Sequence, residues 1–269
     1  MQSILNSKKG ELNFMWLYLL TKREGRMSFR QIILFFIRKI KAFFMWFRLD
    51  VIFLPFSAFF LNLVYISKLS KWRSQNKNLK FNDFLNLKWS YQSRFDLYKH
   101  LIDNENCSAP VNFFEFGVAT GTSFKWWLAQ NKNPQSKFYG FDTFTGLPEN
   151  WTLFPKGAMS NEGKIPDTND MRASYYAGLF QDTLRPFLKT FDNENVNVLH
   201  MDADIYSSTL YVLTTFAPYF KKGDIIIFDE FNIPTHEFRA FMDFVSSYYI
   251  KYETIAAANN YYFLAVRIL

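Results

Sequence analysis

The sequence predicts an α/β fold: a Rossmann-like, doubly wound and mostly parallel sheet closed by a C-terminal antiparallel hairpin, behind an N-terminal helical segment that is both apolar and basic. Three observations predict it. Apolar runs alternate with helix-like segments from residue 111 onward, the last two runs are β-rich with no helix between them, and residues 1–80 differ in charge from everything after them. Domains are accordingly expected over 1–80, a helical segment and linker, and 81–269, the α/β domain.

Charge divides the chain sharply. Residues 1–80 hold 15 Lys/Arg against three acids, a net of +12, and the remainder holds 16 basic and 21 acidic residues, a net of −5. Phosphate neutralisation needs a basic binding face, so the acidic C-terminal part argues against nucleic acid as a partner. The lone cysteine, Cys107, permits no internal disulfide and no Cys-based zinc site, and it fits a reducing cytoplasm.

Between Phe29 and Phe47 the spacing predicts a helix. At about 100° per residue, Phe29, Ile32, Ile33, Phe36, Ile37, Ile40, Phe43, Phe44 and Phe47 share one arc, with Arg30, Arg38, Lys39, Lys41 and Arg48 on the other. A basic face opposite an aromatic one suits the membrane interface, here the inner face of the membrane. An uncharged run of 17 residues, Val51 to Ser67, follows, at the lower limit for a spanning helix. Three readings of 29–67 stay open: an anchor lying on the membrane, a span, or a helical element packed on the enzyme or on a second copy in a homo-oligomer. Lys71 to Lys80 reads as the linker, and Phe81 to Asp103 as a helical lead-in.

The α/β elements follow in order. Val111–Phe116 is the first strand, with a helix near Ser123–Gln130. Lys137–Phe141 is the second strand, Ala173–Gly178 a weaker third and Val196–Met201 the fourth, followed by a helix from about Ser208 to Phe220. Asp224–Phe228 is the fifth strand, Thr235–Tyr249 a helix, and Tyr252–Ala256 with Tyr261–Ile268 the closing pair. Ligands in such sheets bind beyond the carboxyl ends of the strands. There stand Glu115-Phe-Gly-Val-Ala-Thr-Gly-Thr-Ser123 after the first strand, Asp142 after the second, Asp202 and Asp204 after the fourth, and Asp229 with Glu230 after the fifth. Gly117 and Gly121 permit a tight turn with close backbone approach, and Thr122 and Ser123 open a helix with free N–H groups. Asp142, 21 residues beyond Gly121, is placed to accept hydrogen bonds from a ribose. His200 reads as a satisfied core histidine, and His236, near the rim, as a candidate general base.

These stretches resemble the macrocin O-methyltransferase (TylF-like) family of class I methyltransferases. The resemblance rests on the glycine turn, Phe141-Asp-Thr-Phe-Thr-Gly-Leu-Pro148, Gly178-Leu-Phe-Gln-Asp-Thr-Leu184, Met201-Asp-Ala-Asp-Ile-Tyr-Ser-Ser-Thr209 and Phe228-Asp-Glu-Phe231. It implies that Glu115, Gly117, Gly121, Thr122, Ser123 and Asp142 bind S-adenosylmethionine, and that Asp202, Asp229 and Glu230 hold Mg²⁺. It further implies an acceptor hydroxyl on a sugar, in a small molecule or glycan; the rim acids Asp202 and Asp204, and His236, are the candidates to assist proton removal. Three departures stand out: Glu230 where the family has Asp, Val-Ala-Thr before Gly121, and an irregular segment from Pro148 to Arg172 in place of a helix. Two rival classes use the same features. A nicotinamide-dependent oxidoreductase predicts Gly-x-Gly-x-x-Gly, whereas this turn is Gly-x-x-x-Gly; a membrane-tethered scaffold without chemistry predicts no cofactor binding.

Overall fold

The computed structural model describes residues 28–151 and 153–269. The described residues fall into two compact units, one ending at Ala58 and the other Phe59–Leu269. In the first, α1 (Phe29–Trp46) starts at Ser28, whose hydroxyl accepts from the Gln31 N–H while the Gln31 side chain accepts from the Ser28 N–H, a reciprocal cap. None of the side chains of α1 is buried. The part of residues 1–80 before Ser28 lies outside the described residues.

A short helical run from Asp50 leads into α2 (Ser57–Gln75), so the expected linker is helical as far as Gln75. It is also anchored. Trp72 is 5% exposed, sits 4.9 Å from the Phe231 ring, and donates from its indole N–H to the Tyr252 hydroxyl at 2.8 Å. The compact unit that holds the sheet therefore begins at Phe59, well before Phe81. A tryptophan inside a polar stretch was the one available sign of this.

The sheet has eight strands in the order β1-β7-β8-β6-β5-β2-β3-β4: β1 Phe81–Asn82, β2 Val111–Phe116, β3 Lys137–Asp142, β4 Ala173–Ala177, β5 Val196–Met201, β6 Ile225–Phe228, β7 Tyr252–Ala258 and β8 Phe263–Ile268. All pairings are parallel except those of β8 with β6 and β7. The hairpin is thus as expected, with β1 added outside it. The lead-in departs from expectation: residues 81–103 form β1, an irregular stretch and only then α3 (Ser93–Asn104).

Period-two alternation in a sheet buried on both faces builds two cores. Phe114 and Phe116 of β2 face the core made with α2, α5 (Phe180–Leu188), α6 (Tyr206–Phe216) and α7 (Glu237–Tyr248). Val111 and Phe113 face the core made with α3 and α4 (Thr122–Gln130). The chain runs from β2 towards β3 on one side and returns at β5 on the other, so the crevice opens between the ends of β2 and β5.

Removing the Trp72 side chain should destabilise the second unit by about 3–5 kcal/mol through cavity formation. The midpoint of urea unfolding of Trp72→Ala against the parent chain measures this; an unchanged midpoint would mean that α2 does not belong to the cooperative unit.

Candidate active site

The strand ends set the site. The amide N–H of Gly117 donates to the Phe141 carbonyl, that of Asp202 to Phe116 and that of Asp229 to Met201, so the ladder continues one residue past β2, β5 and β6 and fixes what emerges there. Gly117 adopts φ +99°, and a Cβ on it would lie 1.8 Å from the Asp202 carbonyl oxygen. Above this contact lies a cavity of about 500 Å³, in the range of small-molecule sites. Its wall includes Gly117, Thr122, Ser123, Asp142, Asp202, Asp204 and Glu230.

The other expected cofactor residues stand behind the wall. Gly121 precedes α4 in the left-handed conformation and turns towards Pro166, 3.0 Å from where a Cβ would be. Glu115 is fully buried; it accepts from the Ser123 hydroxyl at 2.7 Å and faces His200 Nδ1 at 3.7 Å, its partner in the β2–β5 register. Asp142 ties two loops together: one carboxylate oxygen accepts from the Ala119 N–H and the other from the Phe144 N–H, both at 2.7 Å. Each oxygen keeps a lone pair for a further donor.

The acids after β5 and β6 have different environments. Asp229 has no exposure, yet accepts from the hydroxyls of Tyr91 at 3.0 Å and Tyr98 at 3.3 Å, and from Arg94 Nη1 at 3.4 Å, with His200 Nε2 at 3.6 Å. Burial would raise its carboxyl, but His200, Arg94 and Tyr91 outweigh it and hold Asp229 below the usual range. Burial would likewise push the His200 imidazolium down, but Asp229 and Glu115 raise it to about 10. Asp204 sits in the left-handed region at φ +59°, and burial with Asp229 and Asp142 nearby pushes its carboxyl up to about 7. No hydrogen bond engages its carboxylate among the described residues. Burial raises Glu230 to about 8, against a hydrogen bond from the Tyr262 hydroxyl. Burial and Asp229 also raise Asp202, whose side chain keeps about a fifth of its surface open, which moderates the burial effect. His236 caps α7 away from the wall, and burial lowers its imidazolium.

The expected metal trio of Asp202, Asp229 and Glu230 does not form a ligand set. A hard cation needs carboxylate oxygens free to converge at about 2.0–2.6 Å. Both oxygens of Asp229 are taken by protein donors, and one oxygen of Glu230 is taken by Tyr262. Among the described residues, Glu115, His200 and Asp202 do bring ligand atoms within 4.8 Å of one another. Two of that group, Glu115 and His200, are fully buried and stand off the cavity wall, so Asp202 is its one member on the wall.

Arg94, Tyr91 and Tyr98 went unread in the sequence. Arg94 and Tyr98, four residues apart, share one face of α3, and Tyr91 lies in the turn just before it; that spacing was the available signal. Cys107 is buried, its thiol pushed up to about 12 by burial, which suits an unreactive core residue.

Residues 114–231 match the family model described as "Methyltransferase domain". The matched stretch runs from β2 to just past β6 and contains Gly117, Asp142, Asp202, Asp204, Asp229 and Glu230. Two solved structures share the fold. The calicheamicin methyltransferase CalS11 is 22% identical, with a TM-score of 0.50 over 66% of this chain and 77% of that one. The O-methyltransferase NovP is 18% identical, with a TM-score of 0.50 over 78% of this chain and 98% of its own. No protein of curated function matches the chain in sequence.

Gly117→Ala should disrupt the second unit, since its methyl group would overlap the Asp202 backbone. Gly163→Ala, also at positive φ but with no atom within 4 Å of the added carbon, should cost only about 1–2 kcal/mol. Thermal melts of both variants test the contrast, and equal melting temperatures would refute it.

Proposed function

We propose that the chain is an S-adenosylmethionine-dependent O-methyltransferase acting on a sugar hydroxyl of a glycan, glycolipid or natural product, as the macrocin O-methyltransferase-like motifs suggest. The observation that carries this reading is the pairing, across one cavity, of a glycine turn closed on Asp202 with the unpartnered Asp204 carboxylate. Bound there, the donor supplies an electrophilic methyl group on sulfonium. The Gly117 turn allows backbone approach, the first N–H groups of α4 offer donors to a carboxylate, and Asp142 offers acceptors to ribose hydroxyls.

A sugar hydroxyl is a weak nucleophile at neutral pH. Asp204 takes its proton as the oxygen forms a bond to the methyl carbon and the carbon–sulfur bond breaks, leaving a methyl ether and S-adenosylhomocysteine. A carboxylate raised to about 7 suits this role, because a base titrating near the working pH is both available and basic. Only the ionised form acts, so the rate should rise with pH through about 7 and level off above it. Asp204→Asn should lower the rate by about 10²–10⁴-fold and abolish that rise, while keeping the affinity for S-adenosylhomocysteine. Label transfer from donor to fractionated glycans, glycolipids and nucleotide sugars identifies the acceptor, and calorimetry measures the affinity. Absence of S-adenosylhomocysteine binding would sink the reading, and nicotinamide dinucleotide binding in its place would establish the oxidoreductase.

We also propose that α1 and the start of α2 attach the enzyme to an anionic membrane surface. Phe29, Phe36, Ile40, Phe43, Trp46 and Phe47 are all more than half exposed, above a basic face. The run Asp50–Gln75 is long and apolar enough to cross a membrane by length and composition. However, Tyr65 and Trp72 are buried in the second unit. The stretch before Tyr65 then spans about 22 Å at 1.5 Å per residue, short of a hydrocarbon core of about 30 Å, which favours attachment over spanning. The full chain should sediment with phosphatidylserine-containing vesicles and be released by alkaline carbonate, whereas residues 59–269 should stay in the supernatant. Retention after carbonate would point to a span instead.

A further inference from the structure

Arg94 lies in the first turn of α3, is 7% exposed, and lines the cavity. Its guanidinium stacks 3.9 Å from the centre of the Tyr91 ring, and Nη1 donates to the Tyr91 hydroxyl at 3.0 Å. The same Nη1 is 3.4 Å from Asp229 Oδ2 and 3.9 Å from Asp202 Oδ2. One positive charge thus stands between the acids that end β5 and β6. Its Nε is buried with no hydrogen-bond partner, and Nη2 donates no hydrogen bond among the described residues.

A divalent ion shared by Asp202 and Asp229 would have to sit beside this guanidinium, which already faces one oxygen of each acid. Arg94 cannot simply make way, since an arginine stays protonated and burying it unpaired is strongly unfavourable. Two like carboxylates at adjacent strand ends still need a neutralising charge. We propose that Arg94 is the resident cation of this site, filling the role a divalent metal would have, so that methyl transfer proceeds with no bound metal. Resting on the methyltransferase reading above, the assignment gives Arg94 two tasks. It pairs with Asp229 and stands beside Asp202, and it presents N–H donors to the acceptor oxygen as negative charge develops there.

Mn²⁺ is the probe, followed by the paramagnetic resonance signal of the free ion, with S-adenosylhomocysteine binding measured by calorimetry on the same samples. The full-length protein should leave the Mn²⁺ signal unchanged through millimolar concentrations while binding S-adenosylhomocysteine, and label transfer should persist in excess chelator. Arg94→Met should acquire a Mn²⁺ site that is lost again when Asp202→Asn is added. Arg94→Lys keeps the charge, so it should exclude Mn²⁺ as the parent does; it serves if the Met variant does not fold. Binding of one Mn²⁺ per parent chain, abolished by Asp202→Asn, would overturn the proposal whatever the variants do. Failure to bind S-adenosylhomocysteine would instead strike at the methyltransferase reading, independently of the metal result.

Discussion

Asp229 holds its charge without contact with water, and the architecture around it is arranged to allow that. A buried carboxylate is tolerated only when its charge is matched and its lone pairs are filled. Here the partners come from three places: Tyr91 and Arg94 near the start of α3, Tyr98 one turn further along that helix, and His200 from the neighbouring strand. Withdrawing one partner from such a group commonly costs about 3–5 kcal/mol, because an uncompensated charge stays behind. The lead-in is thereby joined to the sheet, although it precedes the residues that carry the family likeness.

The same charge shapes the rim. Burial raises Asp204 and Glu230, and the neighbouring charge of Asp229 adds to the rise of both. Carboxylates at neighbouring strand ends thus differ in how readily they take a proton. Proximity alone would not do this. Asp142, on the same cavity wall, has its oxygens engaged by backbone N–H groups and so serves as a stitch between loops.

Much of the sheet was legible in the sequence. Val111–Phe116 and Val196–Met201 form strands over just those residues, because short, mainly apolar runs flanked by turn residues have few alternatives in a two-sided core. The positions of the rim acids follow from strand register and were legible too. Their states were not. Whether Asp229 faces a cation in solution or a guanidinium depends on Arg94, more than a hundred residues away and set by packing that no local period encodes. Likewise Trp72 lies in a stretch whose composition reads as a linker, and only its partners Phe231 and Tyr252 show it to be core. Glu115 and Gly121 sit in the right motif, but the strand and the turn direct one inward and the other towards Pro166.

The two-residue strand β1 has a consequence out of proportion to its length. β7 is rich in small apolar residues, and without a neighbour on its outer side it would offer bare amides and carbonyls to any extended peptide, an identical chain included. Phe81 and Asn82 cover Ala256 and Ala257 at that position. A chain begun at Val111 would keep β7 but lose this guard, and the bare edge would favour self-association.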